Sequence, residues 1–388
     1  MIGRQKYWRW LVIVGAVLLG AAIAYVTAVI WSTMRSVSFA GQASSVEQVL
    51  EGWAALEGVP GAVLRVDVAG ETRVSQAVGF LSNKQQQPLR PESAFHIASI
   101  GKLLTAATVL RLSEQSRLDL DAPVADYLGQ DFLQGLVVVD GVDRGQAITA
   151  RQLLTHRAGL GNTDDHWLFQ ARVLLDDDRV WTPATLLAIA REVEPAGLPG
   201  ERSAYASPGY WLLGLLIEAV TQQPYHQAVR EVVLQPLGMD NTFESSQEWA
   251  GQQATLHHYA GWIDLTEHHP SFEFADGGFV STAADLARFG RAVIQGELFD
   301  LPETQATFLA PWPGEERSGI VQAHGPLVIQ SEEHPKVVMH QGYWGTALIL
   351  EPEIERVTVI ALGQSNASTW QFWRQLRDLL ANGESFKR

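Results

Sequence analysis

The chain has 388 residues, 46% of them hydrophobic, with 13 Trp, 14 Phe, 8 Tyr, a formal net charge of −15 and no cysteine. That length and aromatic content supply a sizeable core and exclude disorder as the main description. The lack of cysteine excludes a thiol nucleophile, a disulfide framework, a thiolate metal site and an N-terminal lipid-modified cysteine. Charge is unevenly placed: the first 36 residues carry Arg4, Lys6, Arg9 and Arg35 and no acid, which leaves −19 on the remainder. An anionic surface repels phosphate backbones, so nucleic acid is not an expected partner.

In chain order, a basic stub (1–10) precedes an uncharged apolar run from Leu11 to Trp31. At 1.5 Å per residue a helix of that length spans a hydrocarbon core of roughly 30 Å. Tyr7, Trp8, Trp10 and Trp31 lie where interfacial aromatic belts form, and the basic flank is N-terminal. The expectation is a single-pass anchor at 11–31 in the cell membrane. Its N-terminus would be cytoplasmic, with a tether (32–45) and a globular domain (46–388) outside, in a periplasmic or extracellular space. A cleaved signal peptide competes, but such peptides have shorter apolar cores, and the small-x-small candidate at Ser38–Ala40 lies well past the apolar end.

Residues 46–56 carry apolar side chains at helical spacing, and 61–68 and 73–80 read as a β-hairpin turning at Gly70. A strong helix pattern follows over 99–115, then a loop over 129–147 with a short strand at 136–139. Another helix begins after Thr149, and 161–200 reads as irregular. Helices are predicted over 210–221 and 283–295, strands over 337–341, 345–350 and 357–362, and a final helix over 369–381. This order predicts a two-lobed α+β fold, in which terminal strands join one antiparallel sheet flanked by helices and the mainly helical middle forms a second lobe.

The strongest chemical signal is Ser99-Ile100-Gly101-Lys102 at a helix start. Residues three apart share a helix face, so the Lys102 amine reaches the Ser99 hydroxyl. Free N–H groups and the positive dipole end favour developing negative charge there. A serine cap followed by a solvated lysine is the alternative. Against it, Lys102 stands among Leu103, Leu104 and Ala106, and is the only lysine between Lys84 and Lys336. A desolvated neutral amine could then take the hydroxyl proton and make Ser99 a nucleophile. Gly363–Ala367 has the look of a nucleophile elbow, but no histidine follows His340, so it reads as a turn capping the last helix. The eleven histidines form no His-Glu-x-x-His motif, and no phosphate loop or dinucleotide fingerprint occurs, so neither a metal nor a cofactor is expected.

Seven blocks in order resemble the serine β-lactamase-related family of class C β-lactamases, D-alanyl-D-alanine carboxypeptidases and esterases. They are 95–102, 118–124, 153–160 (LLTHRAGL), 205–210 (YASPGY), 235–239 (QPLGM), 277–286 (GGFVSTAADL) and His340-Gln341-Gly342. The resemblance spans about residues 46–365 and implies a β-lactamase/transpeptidase-like fold. It implies that Ser99 is the acyl-accepting nucleophile of an SxxK motif, Lys102 its amine partner, and Tyr205 the phenolic base and acid. It also implies an oxyanion hole from the backbone N–H groups of Ser99 and Tyr343, with Ser207, His340, Gln341 and Gly342 at the substrate. His156, within a matching block, reads as structural.

Three departures bear on substrate. Ser207 stands where the family has asparagine, His340 where it commonly has lysine, and Gln341 where it has a small hydroxyl residue. An amide donor and a fixed cation for a substrate carboxylate are thereby lost, because histidine is mostly uncharged at neutral pH. An esterase or D-peptidase is expected in preference to an efficient β-lactamase, acting on a small-molecule or peptide ester or amide. A non-catalytic binding or sensing module on the same scaffold is the competing function. Retention of Ser99, Lys102 and Tyr205 together speaks against it.

Overall fold

A computed structural model describes residues 36–41, 43–176, 178–248, 254–314, 319–330 and 335–381. The predicted anchor at 11–31 lies outside the described residues, and among those no helix is long and apolar enough to cross a membrane.

In chain order the main elements are α1 (Val46–Ala54), β1 (Gly61–Val68), β2 (Glu71–Gly79), β3 (Ala94–His96), α2 (Gly101–Glu114), α3 (Trp167–Leu175) and α4 (Ser207–Thr221). They continue with α5 (Phe274–Gly277), β4 (Phe279–Ser281), α6 (Ala283–Gln295), β5 (Gly319–Gln322), β6 (Leu327–Gln330), β7 (Val337–Gly342), β8 (Thr346–Glu351), β9 (Arg356–Ala361) and α7 (Thr369–Ala381). A seven-stranded antiparallel sheet runs β5-β6-β7-β8-β9-β1-β2. The N-terminal hairpin thus docks on the C-terminal strands, with Val63 opposite Ala361. The terminal-strand sheet and helical second lobe expected from element order are both present.

Period-2 alternation decides what each face buries. Val63, Leu348, Leu350, Val357 and Val359 point into the large core shared with the helical lobe. Ala62, Leu64, Val66, Ile349 and Ile360 point to the opposite face, where Trp53 of α1 and Phe372 and Trp373 of α7 cover them. Ser45 caps α1 by accepting from the Gln48 N–H, and Trp53 Nε1 donates to Gln375 Oε1 at 2.9 Å, pinning the two terminal helices together. A second, four-stranded sheet places β3 between β4 and Thr255–Leu256, with Phe243–Glu244 beyond β4. Its role is local: it aims the chain entering α2.

The stretch 161–200 is not irregular throughout, since it holds α3 and a further helix over Pro183–Ala190. The latter has a legible start, Thr182 and Thr185 forming a reciprocal cap with Pro183 in the first turn. Helix α3 lacks a side-chain cap, and only Phe169 of its apolar residues is fully buried, so no clean stripe marks it. The 129–147 segment contains a helical turn at Gln130–Leu133 and a hairpin of Val138–Val139 with Val142–Asp143. Strands β5 and β6 were not expected at all. They extend the sheet edge, where one polar side suffices.

Candidate active site

Helix α2 is apolar on nearly every side and almost wholly buried, as a helix threading a core must be. Before it, Ala94–His96 pairs with β4, and Ile97 N–H donates to Phe279 O at 2.9 Å. A tight 3-10 turn at Ala98–Ile100 then joins strand to helix, with Ala98 held at φ +46°, a left-handed conformation costly for a residue with a Cβ. That turn delivers Ser99 to the edge of a cavity of about 520 Å³ between the sheet and the helical lobe.

Ser99 Oγ accepts from Lys102 Nζ at 3.0 Å and from the Tyr205 hydroxyl at 2.9 Å. The three residues that sequence and resemblance singled out therefore meet at one oxygen. Lys102 is fully buried. Its ammonium also donates to Asp276 O at 2.9 Å and Asp276 Oδ2 at 3.1 Å, so all three N–H bonds are used. This approach is possible because Gly101 and Gly277 lack side chains: a Cβ on Gly101 would lie 3.2 Å from Gly277 Cα, and one on Gly277 would lie 2.9 Å from the Ala98 carbonyl carbon. Burial alone would pull the Lys102 pKa down, but the Asp276 charge and then Tyr205 outweigh it, and the amine is held protonated more firmly than a free lysine. Desolvation, which favours a neutral amine, is thus opposed at Lys102. The counter-charge that overrides burial, Asp276, lies 174 residues away in sequence.

Tyr205 sits in extended chain just before α4. His156 supports it: the ring lies 4.3 Å from the Tyr205 ring, and Nδ1 accepts from Ala206 N–H at 3.2 Å. Burial, then the Lys102 charge, depress His156 well below the ordinary histidine pKa, so it is a neutral acceptor with a structural part, as expected. Burial raises the Tyr205 phenol above its usual pKa despite the opposing pull of Lys102.

The substrate-side expectations divide. Gln341, Gly342 and Tyr343 line the cavity with Ser99 and Tyr205. Gly342 is pressed against the nucleophile turn, where a Cβ would come within 2.3 Å of Ile97 O. Ser207 and His340 do not line it. Ser207 is fully buried, and its hydroxyl donates to Asp164 Oδ2 at 2.8 Å, so it orients a carboxylate instead of facing the cavity. His340 is buried with Nδ1 2.9 Å from Gln341 O, and burial, then Lys102, lower its pKa to about 4. It provides no cation at neutral pH.

Sequence reasoning missed Asp164, Glu273 and Asp276, which all line the cavity. Trp344 Nε1 donates to Glu273 Oε1 at 2.8 Å, and Trp211 Nε1 to Asp276 Oδ1 at 3.3 Å. Asp164 is open to the cavity, yet enclosure by its walls and then the Asp276 charge push its pKa up to about 6. Glu273 rises well above the carboxylate range through burial and then Asp276. Their one advance signal was position: Asp276 directly precedes the Gly277-Gly278 block.

A two-lobed α+β fold with a serine, a lysine and a tyrosine converging at the lobe junction defines the β-lactamase/transpeptidase-like class. The Beta-lactamase family profile matches residues 46–381, and the chain belongs to that family. Penicillin-binding protein 4 of Amycolatopsis lactamdurans is 28% identical over 239 residues, 60% of this chain and 59% of that protein. Esterase EstB of Burkholderia gladioli is 34% identical over 188 residues, 46% of this chain and 45% of that protein. The chain thus spans only about half the length of these curated relatives. Among solved structures, a D-stereospecific amidohydrolase from Streptomyces sp. is similar at a TM-score of 0.72 and 25% identity, covering 84% of this chain and 96% of that one.

Proposed function

We propose that this protein is a serine hydrolase that cleaves a small ester or amide through an acyl-enzyme on Ser99, held outside the cytoplasm by a membrane anchor at 11–31. The observation that carries the chemistry is the pair of contacts on Ser99 Oγ, 3.0 Å to Lys102 Nζ and 2.9 Å to the Tyr205 hydroxyl. The anchor rests on the uncharged apolar run and its basic N-terminal flank.

In the active form the Lys102–Tyr205 pair has lost one proton. With Lys102 kept charged by Asp276, the vacancy falls on the Tyr205 oxygen as a phenolate beside an ammonium. Ser99 Oγ attacks the substrate carbonyl carbon as its proton passes to that oxygen. The tetrahedral oxyanion takes the backbone N–H groups of Ser99 and Tyr343. Tyr205 then returns the proton to the departing alkoxide or amine, the carbon–heteroatom bond breaks, and the acyl group remains on Ser99. Water, deprotonated by the same oxygen, releases the acid and restores the serine.

A fluorophosphonate probe tests this directly. The wild-type chain is expected to label at one serine, and Ser99→Ala to lose labelling while keeping its circular dichroism spectrum. Undiminished labelling of the folded variant would refute the assignment.

A further inference from the structure

The cavity wall beside Ser99 is chemically lopsided. Its charged members are Asp164, Glu273 and Asp276, and no Lys, Arg or His is among the described residues that line it. The cation behind the wall, Lys102, is matched by Asp276 and has no N–H left to offer. Among the described lining residues no cation stands against the other two carboxyl groups, which feel Lys102 only from behind the wall. Glu273 is 7% exposed; Trp344 satisfies one of its oxygens, while Oε2 is buried and without a hydrogen-bond partner. An unmatched buried acceptor of this kind costs free energy until a donor reaches it. Asp164 has one oxygen fixed by the Ser207 hydroxyl and is otherwise open to the cavity. Around the acids the wall is apolar, formed by Phe169, Val173, Leu174, Leu265 and Phe272.

We infer that this site selects esters or amides bearing an ammonium group next to a hydrophobic substituent, with Glu273 and Asp164 as the ammonium-binding residues. The inference rests on the serine-hydrolase reading and names its substrate class. An ammonium supplies three donors to a wall that has unused acceptors, and a positive charge that favours the ionised form of both carboxyl groups. A substrate carboxylate would find no cation among the described lining residues. The raised pKa values of Asp164 and Glu273 describe the same wall before a cation arrives, when protonation is the only relief.

Competition against fluorophosphonate labelling of Ser99 in the full chain tests the idea with three ligands of one shape: phenethylamine, 2-phenylethanol and phenylacetate. Phenethylamine is expected to slow labelling at about tenfold lower concentration than the alcohol, the scale of a charge-assisted hydrogen bond, and phenylacetate to be the weakest. Turnover gives an independent measure. For the D and L forms of phenylalanine p-nitroanilide, the better enantiomer should exceed its N-acetyl derivative in kcat/KM by about tenfold. Glu273→Gln keeps the Oε1 acceptor for Trp344, and should bring the amine to the level of the alcohol. Asp164→Asn provides the same test if that variant fails to label. Equal or better performance by phenylacetate or the acetylated substrate would overturn the inference, as would full amine preference in a labelled Glu273→Gln protein. Absence of wild-type labelling would instead sink the serine-hydrolase reading, so the two failures are distinguishable.

Discussion

Ser99 Oγ receives two hydrogen bonds, one from Lys102, whose pKa the Asp276 charge raises, and one from the Tyr205 phenol, whose pKa rises where the site encloses its hydroxyl. Reactivity then depends on how often this pair gives up one proton, and that fraction grows with pH. For a neutral ester, kcat/KM should rise by up to about tenfold per unit between roughly pH 6 and 9. A plateau beginning near 7 would contradict this, pointing to a histidine base, although His156 and His340 are both depressed and neutral there. Asp276→Asn removes the charge that raises Lys102, so the rising limb should move to lower pH. The same change leaves a buried ammonium uncompensated and should cost about 3 kcal/mol in denaturant unfolding. Lys102 was legible because a three-residue spacing on a helix fixes proximity. Asp276, Asp164 and Glu273 were not, because they reach the site from segments whose distance in sequence carries no information about distance in space. Ser207 was misplaced for the same reason: its position in a motif was readable, while its partner, Asp164, was not.

At the scale of elements, the site is a junction. The end of β7 lies against the turn that carries Ser99, and Thr346 Oγ1 of β8 donates to Ile97 O at 3.1 Å across it. A methyl at Gly342 would fall 2.1 Å from Thr346 Oγ1 and 2.3 Å from Ile97 O, so strand and turn must separate. Gly342→Ala is expected to lower kcat/KM by about 10²-fold through misplacement of the reacting groups. Its thermal unfolding should report a loss of about 1–3 kcal/mol, the scale of overpacking. A kcat/KM within a few fold of wild type would show that the strand end does not set the site. Elements with strong periodicity or a cap, such as α1, α6 and the β1–β2 hairpin, were readable because their own residues encode the buried face. Helix α3 escaped notice because what it buries, the cavity wall, exists only once the lobes are assembled.

For the whole molecule, charge and hydropathy separate a basic apolar leader from an acidic remainder at −19. The full chain should sediment with membranes and require detergent for release, whereas a chain beginning at residue 37 should remain in the supernatant and still label at Ser99. Recovery of the full chain in the high-speed supernatant without detergent would refute the anchor. The sequence by itself determined the family, the two-lobed architecture and the Ser99–Lys102–Tyr205 constellation, because periodicity and short motifs are local and survive in one dimension. Only the tertiary structure decided the charge that Lys102 faces at Asp276 and the acidic wall of the cavity. Both are sums of charge and burial over segments that meet in space and nowhere else.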